Sequence, residues 1–140
     1  MIENNILGVI LAGGKSSRFG SNKADAHLGD KTLLEHTISK VEKKFLEVLI
    51  VSNKESIKIN KKNVFLVKDF IKGQLGPLIG ILSAMKWIEQ YNKKYKWIAT
   101  FPCDTPFFDD SIIEKLKNCS ISNDHMLFFL NSQKKRHNIF

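Results

Sequence analysis

The chain has 140 residues, a length that suits one domain, and a single core of that size buries about two thirds of the unfolded surface. Its 43% hydrophobic and 26% charged content excludes a disordered chain, and no apolar run approaches the ~20 residues of a membrane helix. A net charge of +8, from 22 Lys+Arg against 14 Asp+Glu, favours anionic partners. The lysines are scattered, however, and the one dense run, Lys134-Lys135-Arg136, is too short to mark a nucleic-acid surface.

Ile6 to Ala12 is a continuous apolar run ending at Gly13-Gly14, which predicts a strand buried on both faces. A polar loop, Lys15 to Asn22, follows. A helix is predicted from Asp30, with Thr32 and Glu35 at capping-box spacing and Leu34, Ile38, Val41 and Phe45 on one face. Leu46 to Val51 reads as a second buried strand and Val64 to Val67 as a third. After a loop from Asp69, Pro77 opens a helix whose inward face is expected to carry Leu78, Ile81, Leu82, Met85 and Ile88. Trp97 to Phe101 reads as a fourth strand, halted by Pro102. Ser111 and Glu114 form a second capping-box spacing, opening a short helix to about Lys117, and Met126 to Leu130 is a fifth strand candidate.

Strands alternating with helices predict an α/β fold, a three-layer, doubly wound and mainly parallel sheet. Ligands of such sheets sit outside the carboxyl ends of the strands, where strand order reverses. The residues just past the strands are Gly13-Gly14, Ser52-Asn53, Lys68-Asp69 and Cys103-Asp104, a set of glycine, polar and acidic groups.

Leu11-Ala12-Gly13-Gly14-Lys15-Ser16-Ser17-Arg18-Phe19-Gly20 with Lys23 carries the strongest signal. Glycines after a buried strand let backbone N–H groups approach phosphate oxygens, and Arg18 and Lys23 put two cations in the same loop. Taken alone, the loop also reads as an ordinary glycine turn with surface cations. It is neither a Walker A loop, which needs glycine where Val9 stands, nor a dinucleotide G-x-G-x-x-G, since Gly13 and Gly14 are adjacent. Asp104, between Pro102 and Pro106, is a candidate Mg²⁺ ligand; the same carboxylate could simply close a turn on its own backbone. Asp69, with Gly76-Pro77-Leu78-Ile79-Gly80, could accept hydrogen bonds from a base or ribose or belong to a helix-entry turn, and Asn53 is a weaker candidate of the same kind. Cys103 and Cys119 have neither metal nor disulfide spacing, and His27, His36, His125 and His137 read as structural or surface residues. With no basic leader before Glu3, a reducing cytoplasmic setting is expected.

In combination these segments, with Val51-Ser52-Asn53 and Pro102-Cys103-Asp104-Thr105-Pro106-Phe107, resemble the molybdenum cofactor guanylyltransferases, within the wider nucleotide-diphospho-sugar transferase-like group. The resemblance implies transfer of GMP from GTP to the phosphate of molybdopterin, with pyrophosphate released. It implies that the backbone of Leu11, Ala12 and Gly13, with Lys23, Asn53 and Asp69, holds the nucleotide, that Asp104 ligates Mg²⁺, and that Arg18 and Lys23 oppose the developing charge. Family members run on for roughly another third of a chain past the segment matching Met126 to Phe140, so the sheet and the molybdopterin side are expected to be incomplete here. Two other readings fit the same residues: a related nucleotidyltransferase using CTP or a sugar phosphate, and a non-catalytic GTP-binding fragment. No nucleic-acid or membrane partner is implied.

Overall fold

Ile6–Leu11 is apolar throughout except for Gly8 and lies at the middle of the sheet, buried along almost its whole length, as strand β1. The computed structural model describes residues 5–13, 23–71, 76–122, 130–132 and 135–137. After a 3-10 turn at Lys23–Asp25 come two short strands, β2 (His27–Leu28) and β3 (Lys31–Thr32), paired as a hairpin. Helix α1 (Leu33–Val41) opens on the predicted capping box: the Glu35 amide donates to Thr32 Oγ1 at 3.1 Å, and the Thr32 amide donates to Glu35 Oε2 at 2.7 Å. These two bonds satisfy amides that a helix start leaves without partners. The chain continues through β4 (Val48–Val51), β5 (Val64–Val67), α2 (Pro77–Gln90), β6 (Trp97–Pro102) and α3 (Asp110–Ser122). A final antiparallel pair, β7 (Leu130–Ser132) and β8 (Lys135–His137), follows.

The main sheet has the order β5-β4-β1-β6 and every pairing in it is parallel. Side chains of successive residues point to opposite faces, which sorts the strands into two cores. Ile6, Ile10, Val48, Ile50 and Phe101 pack with Leu34, Ile38 and Val41 of α1 and Ile113 of α3. Leu7, Val9, Leu49 and Val51 pack with Ala84 and Trp87 of α2 on the other face. The three-layer α/β arrangement is thus the one expected from the alternation of strands and helices. Among the described residues, no helix is long and apolar enough to cross a membrane.

Four expectations need correction. The helix predicted from Asp30 begins at Leu33, because Gly29, with φ of 68°, turns the preceding residues into the β2–β3 hairpin. In α2 the buried face is Gly80, Ser83, Ala84 and Trp87, while Leu78 and Met85 are 66% and 56% exposed. Small residues win that face because the helix lies close to the sheet: a Cβ added at Gly80 would sit 2.7 Å from Leu11 Cδ2. Helix α3 starts one residue before Ser111 and runs past Lys117 to Ser122, with Asp109 as its entry residue. Asp109 Oδ1 accepts the Ser111 amide at 2.7 Å, so the Ser111–Glu114 box is replaced by an acidic cap. That bond holds the Asp109 carboxyl below its ordinary range. Finally, Leu130 belongs to the β7–β8 pair, separate from the main sheet; residues 126–129 lie outside the described residues.

Candidate functional site

Parallel pairing brings the carboxyl ends of the four strands to one edge of the sheet. From β1 the chain passes to β4 and β5 on one side, then crosses by α2 to β6 on the other. Strand order therefore reverses between β1 and β6, the position at which open α/β sheets bind ligands.

On the β4 side of that point, three loops are tied together. The Ala12 amide donates to Val51 O at 2.9 Å, extending the β1–β4 pairing past the end of β1. Ser52, 2% exposed, donates its hydroxyl to Ala12 O at 3.4 Å and accepts the Lys54 amide at 3.2 Å. The Ser52 amide in turn donates to Val67 O at 3.0 Å, joining the end of β5. Beyond this belt Asn53 and Asp69 grip one another: Asn53 Nδ2 donates to Asp69 Oδ2 at 2.7 Å and the Asp69 amide donates to Asn53 Oδ1 at 3.0 Å. A Cβ on Gly13 would lie 3.5 Å from Asp69 Oδ2, so the glycine backbone and this carboxylate line the same wall. Leu11, Ala12, Gly13, Asn53 and Asp69 are thus brought together.

Lys23 opens the 3-10 turn Lys23–Asp25, whose Ala24 is buried in the core below. Asp25 pairs with Lys54, tethering this turn to the loop that carries Asn53. The Lys23 side chain and the whole of Arg18 lie outside the described residues.

On the other side, Asp104 is half-buried just past β6. Leu11 is the register partner of Pro102, so Gly13 and Asp104 each follow that pair by two residues on strands that run ~4.8 Å apart. Among the described residues, no group of three or more His, Cys, Asp or Glu side chains gathers as a metal cage. A strand-end carboxylate such as that of Asp104 suits Mg²⁺, which keeps several waters and takes its other ligands from substrate phosphates. Cys103 packs against the core and His36 Nε2 lies 2.9 Å from Leu28 O, where it ties the hairpin to α1. The sequence marks Ser52 only as a strand-end residue beside Asn53; its bonds to Ala12 O and the Lys54 amide, and the Asp25–Lys54 pair, come from the structure alone.

Residues 8–140 match the family described as MobA-like NTP transferase domain. A protein of Haemophilus influenzae named molybdenum cofactor guanylyltransferase is 32% identical over 137 residues, covering 96% of this chain and 68% of that protein. Among solved structures, the 4-diphosphocytidyl-2C-methyl-D-erythritol synthase of Anaerococcus prevotii superposes with a TM-score of 0.61 at 16% identity, covering 95% of this chain and 62% of that one. A Mycobacterium tuberculosis protein solved in complex with manganese gives a TM-score of 0.55 at 16% identity, covering 81% of this chain and 58% of that one. The chain therefore spans between 58% and 68% of the length of these proteins.

Proposed function

The chain belongs to the MobA-like NTP transferase family, and from that premise we propose that it handles GTP and transfers its GMP moiety to the phosphate of molybdopterin. The observation that carries this reading is the joining of three strand-end loops beside Gly13 through the Ala12–Ser52 and Asn53–Asp69 contacts. A wall of glycine backbone next to a paired amide and carboxylate suits a nucleotide: N–H groups for phosphate oxygens, and polar side chains for a base edge or ribose.

In the reaction an oxygen of the acceptor phosphate forms a bond to the α-phosphorus of GTP. The bond from that phosphorus to the α–β bridging oxygen breaks, and pyrophosphate leaves with the electron pair. The acceptor oxygen is already ionised, so no general base is needed, and His36 is engaged instead with Leu28 O, where it ties the hairpin to α1. Negative charge grows on the transferring group and the leaving pyrophosphate, and positioning with electrostatic stabilisation then dominates catalysis. Arg18 and Lys23 are assigned to that charge, the backbone of Leu11, Ala12 and Gly13 to the phosphates, and Asn53 and Asp69 to the nucleoside. Asp104 is assigned to hold Mg²⁺, which when bound supplies positive charge to the phosphates. The proposal places the protein in the cytoplasm, with neither nucleic acid nor membrane as partner.

Pyrophosphate release with molybdopterin as acceptor, measured in parallel with GTP, CTP and UTP, tests the reading. Release with GTP above the pyrimidine nucleotides is expected. Preference for a pyrimidine nucleotide, or GTP binding without release, would contradict it.

A further inference from the structure

The loop that carries Asp104 runs from β6 to α3 without joining a strand ladder, and among its backbone carbonyls those of Cys103, Pro106 and Phe108 are taken up by side chains of α1. Thr37 is fully buried; its hydroxyl donates to Leu33 O at 3.0 Å, with Cys103 O as a second acceptor at 3.3 Å. One turn further, Lys40 donates to Pro106 O at 3.4 Å and to Phe108 O, and its ammonium lies 3.5 Å from Asp110 Oδ1. The same ammonium sits 4.6 Å from the centre of the Phe108 ring, which stacks on Phe101 at 5.4 Å. A lysine on a helix surface ordinarily spends its three donors on water; this one meets two carbonyls of the loop and the Asp110 carboxylate at the start of α3. Cys103 on one side of Asp104 and Pro106 on the other are thereby pinned to one rigid helix.

We propose that Thr37 and Lys40 are positioning residues for Asp104, fixing the backbone on either side of it so that its carboxylate meets the nucleotide-bound metal in one orientation. The inference rests on the assignment of Asp104 to Mg²⁺ made above. Groups that orient a metal ligand contribute about 10–100-fold to metal affinity when removed, whereas a contact that merely stabilises the fold leaves the metal-dependent part of binding untouched.

The test uses Mn²⁺ as the probe metal. GTP affinity is measured with Mn²⁺ and with chelator in the wild type, Thr37→Val, Thr37→Ser and Lys40→Met, alongside thermal midpoints. In Thr37→Val and Lys40→Met the gain in GTP affinity due to Mn²⁺ is expected to fall by about tenfold or more, with the affinity in chelator unchanged; Thr37→Ser, which keeps the hydroxyl, retains the gain. Should Thr37→Val fail to fold, Lys40→Met carries the test, since the Lys40 side chain is part-exposed. A full Mn²⁺ gain in folded variants whose thermal midpoints have dropped would overturn the inference and leave Asp104's role standing. Absence of any Mn²⁺ gain in the wild type would overturn that role, and this inference with it, before any variant is made.

Discussion

Asn53 and Asp69, sixteen residues apart in the chain, exchange two hydrogen bonds of 2.7 and 3.0 Å across the ends of neighbouring parallel strands. Each fixes the other's polar face toward the edge that Gly13 also lines. If the pair reads the nucleoside as a unit, Asn53→Ala and Asp69→Ala should each weaken GTP binding by about 1.5–3 kcal/mol, the range for hydrogen bonds that involve a charged group. The double variant should lose little more than either single one, because coupled neighbours are not additive. Calorimetry with GTP in the absence of metal checks this. Two losses that add in full, or no loss in either, would separate the pair from the nucleotide.

Gly80 lets α2 lie against the strand that ends in Leu11. Gly80→Ala would place a methyl 2.7 Å from Leu11 Cδ2, and the overpacking cost, about 1–3 kcal/mol, is offset by the roughly 1 kcal/mol that alanine gains over glycine inside a helix, so a net loss of up to about 2 kcal/mol is expected. Leu11→Ala in the same chain removes the obstructing atom, so the double variant should be less destabilised than the sum of the two single ones. Urea unfolding of the four proteins measures this; strict additivity would mean that Leu11 is not what resists the added methyl.

The Thr32–Glu35 box predicts a specific acid dependence. Glu35 accepts the Thr32 amide and hydroxyl, which hold its carboxyl below the ordinary value of 4.5. A carboxyl depressed in the folded state contributes stability above its unfolded value and loses it as pH falls through the folded one. Glu35→Gln should therefore flatten the loss of stability on acidification below about pH 4.5. Thr32→Ala, which removes the cap, should cost about 1 kcal/mol near neutrality. Thermal unfolding followed from pH 7 to 3 distinguishes them, and an identical acid limb in wild type and Glu35→Gln would refute the assignment.

The layers were legible because β1, β4 and β5 are apolar runs between breakers, and alternation with helices dictates parallel pairing. What escaped was decided by tertiary approach. Periodicity weights Leu78 and Met85 above Gly80 and Ala84, although the small pair is what permits the sheet to come near. Asp109 and Ser111 are both good helix starters, and only the backbone path chooses between them. Strands of two residues, such as His27–Leu28, are too short to show a period. At the candidate site, the rule that ligands gather past strand ends points to Gly13, Asn53, Asp69 and Asp104, and the first three of these meet in the structure. The contacts of Ser52 with Ala12 and of Thr37 with Cys103 join residues 40 and 66 positions apart, and no local pattern announces them.

We propose that the ends of β1, β4, β5 and β6 together hold a nucleoside triphosphate and its divalent metal, with Asp104 as the protein's ligand to that metal. GTP binding to the wild type and to Asp104→Asn, each measured with and without Mg²⁺, tests it most directly. Mg²⁺ is expected to strengthen binding to the wild type, and this gain is expected to disappear in Asp104→Asn while affinity without metal stays the same. An equal Mg²⁺ gain in both proteins would contradict it.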